Sequence, residues 1–464
     1  MNQEQIDQAK HPNYTKLRGY DFWKSIGSPQ HICAPMVAQS ELAFRLLVSR
    51  YGTDLCYSPM INSNIWVNRT KKENEYIKQI FKTCPEEKRV VIQIAGHDPN
   101  TMLQTANEIA SLYPNCVAID VNYGCPQDIA RRGRYGSHLL SSHPDLCVQI
   151  LETLAKNCSI PVFAKIRIQE SEQKTLKLAE NILKSGISAL AVHGRTKEEK
   201  SHKQKGANWE IIKKIKEMAN IPVIANGGIY DFQDVQRCFD KTNVDAVMSA
   251  EGLLEYPALF SREKKVYDLD DLCREYMVIA KEHFHRANQK EIKSHLFKFF
   301  HVSVDVKIEK NKQLVQKLGK ANLFDEFEQV CEEFYELRKN LTAEEKRGWY
   351  FRWWKAGYTR VNGEIIPNEP VKMHMDKKEY KGQQNQNGNQ NQSQSTENGN
   401  QKIEQTKEKQ EQQNLQQNNK QQIEQQQQQL IEVENVQDEQ EQIQQNNMEQ
   451  QEQNVEQIAQ EVNN

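Results

Sequence analysis

Residues 117–140 read VAIDVNYGCPQDIARRGRYGSHLL. The stretch begins as an apolar, β-branched run, a pattern that predicts a buried β-strand. Cys125 lies between Gly124 and Pro126 where this strand ends, and such a cysteine is displayed rather than packed. Gly124 permits a close backbone approach, and Pro126 offers no N–H group to a strand ladder. We interpret Cys125 as a chemically active thiol and the arginine-rich loop after it as a phosphate contact.

The same apolar pattern recurs along the chain and alternates with segments of helical spacing. The predicted strands are 31–37, 55–61, 90–96, 117–122, 161–167, 190–196, 222–229 and 246–253. The predicted helices include 41–51, 101–112, 146–157, 173–185, 209–219 and 231–239. Eight such units predict an α/β fold, a (β/α)8 TIM barrel. The alternative is a doubly wound open sheet, which would need a glycine-rich turn after the first strand, and APMVAQSE at 34–41 has none.

Composition divides the chain into five predicted parts. They are an N-terminal lead-in at 1–27, the barrel at 28–261, an all-α helical domain at 262–360, a basic linker at 361–381 and a Gln/Asn-rich tail at 382–464. The tail contains no Phe, Trp, Tyr or Cys. It cannot bury enough apolar surface to offset its ordering entropy, so we expect it to be disordered.

Charge and cysteine usage limit the partners and the compartment. The tail holds 4 Lys against 14 acidic residues, which leaves 57 basic and 49 acidic residues in 1–381. A mildly basic folded part suits a polyanionic partner. The ten cysteines include no CxxC pair, which argues against zinc ribbons and disulfides and favours a reduced intracellular compartment, cytoplasmic or nuclear. We expect no membrane segment, no secretory signal, no metal and a monomer.

Polar residues and glycines gather where the predicted strands end, which is where TIM barrels carry their function. Asn226-Gly227-Gly228 after the seventh strand and Ala250-Glu251 after the eighth match the usual barrel phosphate site, although the glycine pair could also be a simple tight turn. Lys165 and His193 end adjacent strands and can converge on one ligand, and Gln93 can pair with an amide-like ring edge. Lone lysines and histidines are more often solvated, but this set together fits flavin mononucleotide (FMN).

Cys125 can serve as an acid without special tuning. An unperturbed thiol has a pKa of about 8.5, so it is mostly protonated near pH 7. A nucleophilic cysteine would instead want a basic partner to form thiolate. We read the other nine cysteines as small apolar core residues.

These motifs together resemble one known family. The segments VNYGCPQDIARRGRYGSHLL, VIQIAG, FAKIRI, AVHGRTKE, VIANGGI and MSAEGLLEYPALF are similar to those of the tRNA-dihydrouridine synthases, strongly over 28–262 and weakly to about 360. The AEG after the eighth strand and the ARRGRYGS loop resemble the eukaryotic branch that acts on the D-loop, at tRNA positions 16 and 17.

The resemblance implies a flavoenzyme with bound FMN and NADPH as the electron donor. It implies that a hydride reaches C6 of uracil in tRNA and that Cys125 protonates C5. The positions that match flavin contacts are Pro35, Met36, Val37, Gln93, Lys165, His193, Asn226, Gly227, Gly228, Ala250 and Glu251. Asn122 and Arg195 match positions on the uracil side. Gly228 departs from the family pattern, in which Asn or Asp follows Asn-Gly.

A uridine in folded tRNA must be drawn out of its stack before it can react. Arg131, Arg132 and Arg134 are expected to hold phosphates beside Cys125, although a solvated loop is the alternative. Residues 281–320 hold 10 Lys or Arg against 4 acidic residues and are expected to grip the RNA with the aromatic and basic stretch 347–360. That stretch could equally dock the end of the chain onto the barrel.

Three other functions compete with this one. A flavin barrel acting on a free pyrimidine, as in dihydroorotate dehydrogenases, would have no use for a basic helical appendage. A catalytically inactive RNA-binding barrel would not need to retain the cysteine, the lysine and the histidine. A phosphosugar barrel without flavin leaves Cys125 and Gln93 unexplained.

Overall fold

The computed structural model describes eight ranges of the chain. They are 16–68, 81–200, 206–263, 265–283, 289–300, 309–347, 358–361 and 364–367. The predicted tail, most of the lead-in and residues 348–357 of the aromatic and basic stretch lie outside the described residues. Across the described ranges, no helix has the length and apolar composition needed to span a membrane.

The core is a closed barrel of parallel strands, which confirms the predicted fold. The strands are β1 His31–Cys33, β2 Leu55–Tyr57, β3 Ile61–Asn62, β4 Val90–Ala95, β5 Cys116–Tyr123, β6 Val162–Arg167, β7 Ala189–His193, β8 Val223–Asn226 and β9 Ala246–Ser249. They hydrogen-bond in the order β2-β1-β9-β8-β7-β6-β5-β4, and the pairing of β2 with β4 closes the ring. The carboxyl ends of all strands therefore open on one side.

The second strand position differs from the predicted run 55–61, because it is divided into β2 and β3. Pro59 lies between the two pieces and has no N–H to give to the ladder. Ser58 bridges the break, since its N–H donates to the Val91 carbonyl (2.9 Å) and its Oγ accepts from the Gln93 N–H (3.1 Å). Both pieces thus pair with β4, and the barrel keeps eight strand positions.

Helices surround the barrel and carry its outer core. They are α1 Gly19–Ser25, α2 Leu42–Arg50, α3 Ser63–Asn68, α4 Pro99–Leu112, α5 Asp128–Arg132, α6 Gly136–Ser142, α7 Pro144–Asn157, α8 Glu172–Lys184, α9 Trp209–Met218, α10 Phe232–Thr242 and α11 Glu251–Glu255. The arginine-rich segment, expected as a loop, forms α5 and α6. Gly133 ends α5, and Gly136, at φ +66°, begins α6. The glycines that had suggested a loop therefore mark the boundaries of two short helices.

Side chains alternate along each strand between the helices and the barrel interior. The interior positions nearest the amino ends are apolar and form one buried cluster, which includes Ala118, Phe163, Ala191 and Ile224. Two residues further along the same strands, the inward positions are polar: Gln93, Asp120, Lys165, His193 and Asn226. Strand alternation therefore fills the amino-terminal part of the barrel interior with an apolar layer. The five polar residues form a second layer, here called the polar floor, which faces the open carboxyl end, or mouth, of the barrel.

Within the described part of the chain, five further helices follow the barrel, as predicted for the segment after residue 262. They are α12 Leu269–Glu282, α13 Gln289–Phe299, α14 Glu309–Lys320, α15 Phe324–Arg338 and α16 Ala343–Arg347. A hairpin of β10 Tyr358–Val361 and β11 Glu364–Pro367 occupies the predicted end of the helical domain and start of the linker. The backbone of these eight residues pairs in antiparallel register rather than continuing the helices, and the predicted domain boundaries stay predictions.

One buried carboxylate joins the helical segment to the barrel. Glu41, which precedes α2, accepts hydrogen bonds from Tyr276 Oη of α12 (2.9 Å) and His295 Nε2 of α13 (2.9 Å). Burial alone would raise the pKa of Glu41, but the contacts with His295 and Tyr276 outweigh it and hold the pKa below its usual value. Phe44 stacks on the His295 ring at 4.5 Å between centroids. The loop after β1 is therefore anchored on helices more than 200 residues away in sequence.

Candidate active site

The structure brings most of the predicted site residues to the mouth of the barrel. Gln93, Asn122, Lys165, His193 and Asn226 lie on five successive strands, β4 to β8. The remaining predicted flavin positions lie in the loops after β1, β8 and β9: Pro35, Met36, Val37, Gly227, Gly228, Ala250 and Glu251. Met36 is tied into its loop by Ser40, whose Oγ accepts from the Met36 N–H at 3.0 Å. Val37 is 68% exposed and contributes least to the enclosure.

A chain of side-chain amides runs from the barrel floor to Cys125. Gln93 Nε2 donates to Asp120 Oδ2 (2.7 Å), and Gln93 Oε1 accepts from Asn122 Nδ2 (2.8 Å). Asn122 Oδ1 in turn accepts from the backbone N–H groups of Gly124 and Cys125, both at 3.0 Å. The Cys125 backbone is thus linked, through the side-chain amides of Asn122 and Gln93, to the buried carboxylate of Asp120.

Cys125 is held in a partly buried place that keeps its thiol protonated. Its carbonyl accepts from the Ser137 N–H (3.0 Å) and Ser137 Oγ (2.8 Å) at the start of α6. Burial raises the pKa of the Cys125 thiol, although the Gln127 backbone and the cations Arg167, Lys200 and Lys165 act in the opposite direction. A thiol with a raised pKa is suited to donate a proton and poorly suited to attack as thiolate.

Lys165 supplies a buried positive charge on the barrel floor. Its Nζ donates to Asn226 Oδ1 at 2.9 Å, and Asn226 Nδ2 donates to the Met248 carbonyl at 3.0 Å, which fixes the amide orientation. Burial, helped by Arg167, lowers the pKa of Lys165 to about 8, and the opposing charge of Asp120 keeps it from falling further. The ammonium is therefore present at neutral pH but close to its titration range.

His193 is a neutral imidazole whose tautomer follows from its neighbour. Burial and the cations Arg167, Lys165 and Arg195 hold the pKa of His193 well below its usual value. Arg195 Nη1 lies 3.3 Å from His193 Nε2 and can only donate, so Nε2 is the acceptor and Nδ1 carries the proton. Arg195 Nη2 donates to Tyr230 Oη at 2.8 Å, and Arg195 is only 3% exposed, so it supports the His193 ring. Its place on the substrate side stays a prediction.

Gly227 and Gly228 both have positive φ, at 96° and 79°, which favours glycine. A Cβ on Gly227 would lie 2.8 Å from His193 Cδ2 and 3.2 Å from Ala207 Cβ. Within the described chain, the N–H groups of Gly227 and Gly228 donate to no backbone carbonyl, so they can donate to an anion. Trp209 Nε1 donates to the Gly227 carbonyl at 2.9 Å and orients this turn.

We expect Gly227→Ala to lower the free energy of unfolding by about 2 kcal/mol, from a strained φ and the contact with His193. Chemical denaturation of the purified protein measures this change. Gly319→Ala is the matched control, since no atom lies within 4 Å of its added Cβ and an alanine there favours helix α14. Equal stability of Gly227→Ala and the unmodified protein would contradict the tight turn.

The three predicted phosphate-binding arginines lie beside the site but outside its floor. Arg131, Arg132 and Arg134 are all exposed, on and just after α5. Arg131 Nε lies 3.5 Å from Asp128 Oδ1, in an ion pair open to solvent that contributes little stability. Their exposure makes them accessible to a large ligand that approaches the mouth.

Sequence reasoning missed two residues of the floor, Asp120 and Tyr57. Both side chains are fully buried inside the barrel, and neither Asp120 Oδ1 nor Tyr57 Oη has a hydrogen-bond partner among the described residues. Reading every second residue back from Asn122 would have found Asp120. Among the described residues, no group of three or more His, Cys, Asp or Glu side chains is placed to hold a metal ion.

The chain is similar to known proteins over most of its length. Residues 32–340 match a family model described as dihydrouridine synthase (Dus). A Schizosaccharomyces pombe protein named tRNA-dihydrouridine(16/17) synthase, NAD(P)(+), is 41% identical over 347 residues, which cover 72% of this chain and 84% of the relative. A Rattus norvegicus protein named as like that synthase is 41% identical over 314 residues, covering 67% of this chain and 68% of the relative. The Saccharomyces cerevisiae protein of the same name is 35% identical over 373 residues, covering 75% and 86%.

Proposed function

The chain belongs to the dihydrouridine synthase family, and from this premise we propose that it reduces the C5=C6 bond of uridine in tRNA to 5,6-dihydrouridine. We propose that it binds FMN, takes its electrons from NADPH and acts in the D-loop at positions 16 and 17. The observation that carries the proposal is the convergence of a protonated Cys125 and a charged Lys165 on one barrel mouth in a chain that matches this family. A monomeric state and residence in the cytoplasm or nucleus stay predictions.

The residues at the mouth fit FMN. The Gly227-Gly228 turn offers a phosphate two N–H groups that donate to no backbone carbonyl of the described residues, and Ala250 immediately precedes α11, which begins at Glu251. Gln93 has a second N–H besides the one that it donates to Asp120, and the Lys165 ammonium can contact the polar edge of the flavin ring. We assign Pro35, Met36, Val37, His193 and Asn226 to the same site. The neutral Nδ1–H of His193 adds a donor without adding charge.

The division of labour follows from the chemistry of the double bond. Bound FMN, reduced by NADPH, would supply the hydride that adds to C6 of the uracil ring. Cys125 donates its Sγ proton to C5, which completes the addition of one hydride and one proton. Lys165 and His193 stabilise negative charge that develops on the carbonyl side of the ring. Asn122 holds the Cys125 backbone, so we assign it a positioning as well as a substrate-binding role.

The visible absorption spectrum of the purified full chain is the first test of this proposal. We expect the visible absorption bands of an oxidised flavin, at about one flavin per chain after desalting. Dihydrouridine formation is then measured with NADPH on unmodified tRNA and on free uracil and orotate. Turnover of the free pyrimidine alone would favour the dihydroorotate dehydrogenase-like alternative, and a protein that binds tRNA without flavin would be the inactive barrel.

The proposed contacts of the three arginines with tRNA can be tested through the salt dependence of tRNA binding. We expect replacement of Arg131, Arg132 and Arg134 by glutamine to lower the slope of log affinity against log salt by about 2, since each lost phosphate contact removes about 0.7 to 0.9. Fluorescence anisotropy with labelled tRNA measures the slope. The matched control replaces Lys156, Lys184 and Lys241, exposed at the carboxyl ends of α7, α8 and α10 on the opposite side of the barrel. A slope unchanged by the arginine replacements would remove α5 from the RNA interface.

A further inference from the structure

We propose that Asp120 is a positioning residue for the proposed reaction: its carboxylate anchors the buried end of the hydrogen-bond chain that leads to the backbone of Cys125. The inference rests on the proposed function for its activity readout. Its structural basis is the chain Asp120–Gln93–Asn122–Cys125, whose links measure 2.7, 2.8 and 3.0 Å. The Asp120 side chain is fully buried and accepts its hydrogen bond from Gln93, so it acts on Cys125 through the two amides above it.

The direction of this chain can be derived from either end. At the upper end, the N–H groups of Gly124 and Cys125 can only donate, so Asn122 presents Oδ1 to them and Nδ2 to Gln93. Gln93 must then accept through Oε1 and donate through Nε2. At the lower end an ionised Asp120 can only accept, which demands the same orientation of Gln93. Two independent ends therefore require one arrangement, and neither amide can flip while Asp120 is ionised.

The surroundings of Asp120 let its charge be lost near neutral pH. Its side chain is fully buried, and burial raises its pKa to about 7, against the opposing effects of the Gln93 hydrogen bond and the Lys165 charge. The titratable groups of the described chain that face it are Lys165 on β6 and Tyr57 on β2. Gln93 on β4 is its uncharged partner. Among the described residues, no second carboxylic acid and no histidine faces Asp120, so the pH dependence can be assigned to Asp120 itself.

The rate of the proposed reaction should depend on pH through the charge of Asp120. Above about pH 7 Asp120 is ionised, accepts from Gln93 and fixes the chain. Below that pH the carboxylic acid can donate as well as accept, so it no longer holds Gln93 Nε2 in place. The orientation of Gln93, which is the acceptor for Asn122 Nδ2, then depends on the upper end of the chain alone. The rate of uridine reduction should therefore fall as the pH drops through about 7.

The test measures uridine reduction by the pre-reduced, flavin-loaded full chain in a single turnover on unmodified tRNA, between pH 5.5 and 9. We expect Asp120→Asn to be at least about tenfold slower at pH 8, the scale of one hydrogen bond to a charged group. We also expect this variant to lack the fall in rate on the acid side, because it cannot ionise. Asp245→Asn is the matched control: Asp245 is likewise an aspartate beside the strands, but it accepts from the Val223 N–H (2.7 Å) and Lys216 Nζ (2.7 Å) at the amino end of the barrel. The Asp245→Asn variant should still show the fall in rate below about pH 7, here called the acid limb.

A second readout needs no turnover. Alkylation of Cys125 by iodoacetamide, followed by peptide mass spectrometry with partly exposed Cys84 as internal reference, reports whether the Cys125 backbone is still held. We expect Asp120→Asn to change this rate several-fold. Should Asp120→Asn not fold, Gln93→Met interrupts the same chain and should change the labelling in the same way.

A wild-type acid limb or wild-type Cys125 labelling in Asp120→Asn would overturn the positioning role. An unmodified protein that makes no dihydrouridine at any pH, combined with altered labelling in the variant, would refute the proposed function and leave the positioning role standing.

Discussion

Replacement of Cys125 by alanine is expected to lower the rate of dihydrouridine formation by about 10²- to 10⁴-fold, the usual contribution of a positioned acid. The thiol is the proton donor in the proposed reaction, and burial raises its pKa, so the protonated form is present throughout the neutral range. Alanine removes the proton while the hydrogen bonds of the Cys125 backbone to Asn122 and Ser137 remain. The fold and the flavin should therefore survive the change.

Three measurements on Cys125→Ala separate the acid from a structural role. Flavin content and its reduction by NADPH should stay near those of the unmodified protein, while dihydrouridine formed on tRNA falls. Cys84→Ala is the matched control, since Cys84 and Cys125 are the two cysteines of intermediate exposure and Cys84 lies outside the site. Near-normal dihydrouridine from Cys125→Ala would assign the proton to another group.

Lys165→Met should lower the rate per bound flavin by about 10²- to 10³-fold, the range for loss of one preorganised electrostatic contact. Methionine matches the length of the lysine stem but removes the ammonium that donates to Asn226. Flavin affinity should also weaken, because the site loses its buried cation.

The pH profile identifies the lysine. Burial lowers the pKa of Lys165 to about 8, so its charge is present below that pH and is lost as the pH rises through it. The unmodified protein should lose activity on the alkaline side, whereas Lys165→Met should be flat there. Lys216→Met, which removes a partly buried lysine paired with Asp245 at the other end of the barrel, should keep the alkaline limb. An alkaline limb that survives in Lys165→Met would mean that another group titrates.

The barrel could be predicted from the sequence because its signal is local. Each strand is an apolar run and each helix an amphipathic one, and a parallel sheet gathers all strand ends on one side whatever the details. Reading polar residues at those ends was enough to find Gln93, Lys165, His193 and Asn226. Their assignment to flavin or uridine is still a prediction, since it awaits the experiments above.

What escaped prediction depends on contacts that a linear pattern does not contain. Asp120 was overlooked because it lies inside an apolar run; alternation would have placed it inside the barrel, but its hydrogen bond with Gln93 of the neighbouring strand is visible only in the structure. The supporting role of Arg195 depends on Tyr230, 35 residues away. The arginine-rich segment looked irregular because of its glycines, which in fact end one short helix and begin the next.

The Glu41 junction bears on how new specificities could be engineered. Exchanging helical segments between homologous enzymes is an attractive way to redirect them to another nucleotide. Here the graft boundary cannot be drawn between barrel and helices alone, because Tyr276 and His295 would arrive without the carboxylate they bond, or Glu41 would be left buried and unpaired. A chimera should therefore carry Glu41 and Phe44 with the incoming helices. Since Glu41 ends the loop that contains Met36, a mismatched graft would first disturb the proposed cofactor site of the barrel rather than the proposed RNA surface.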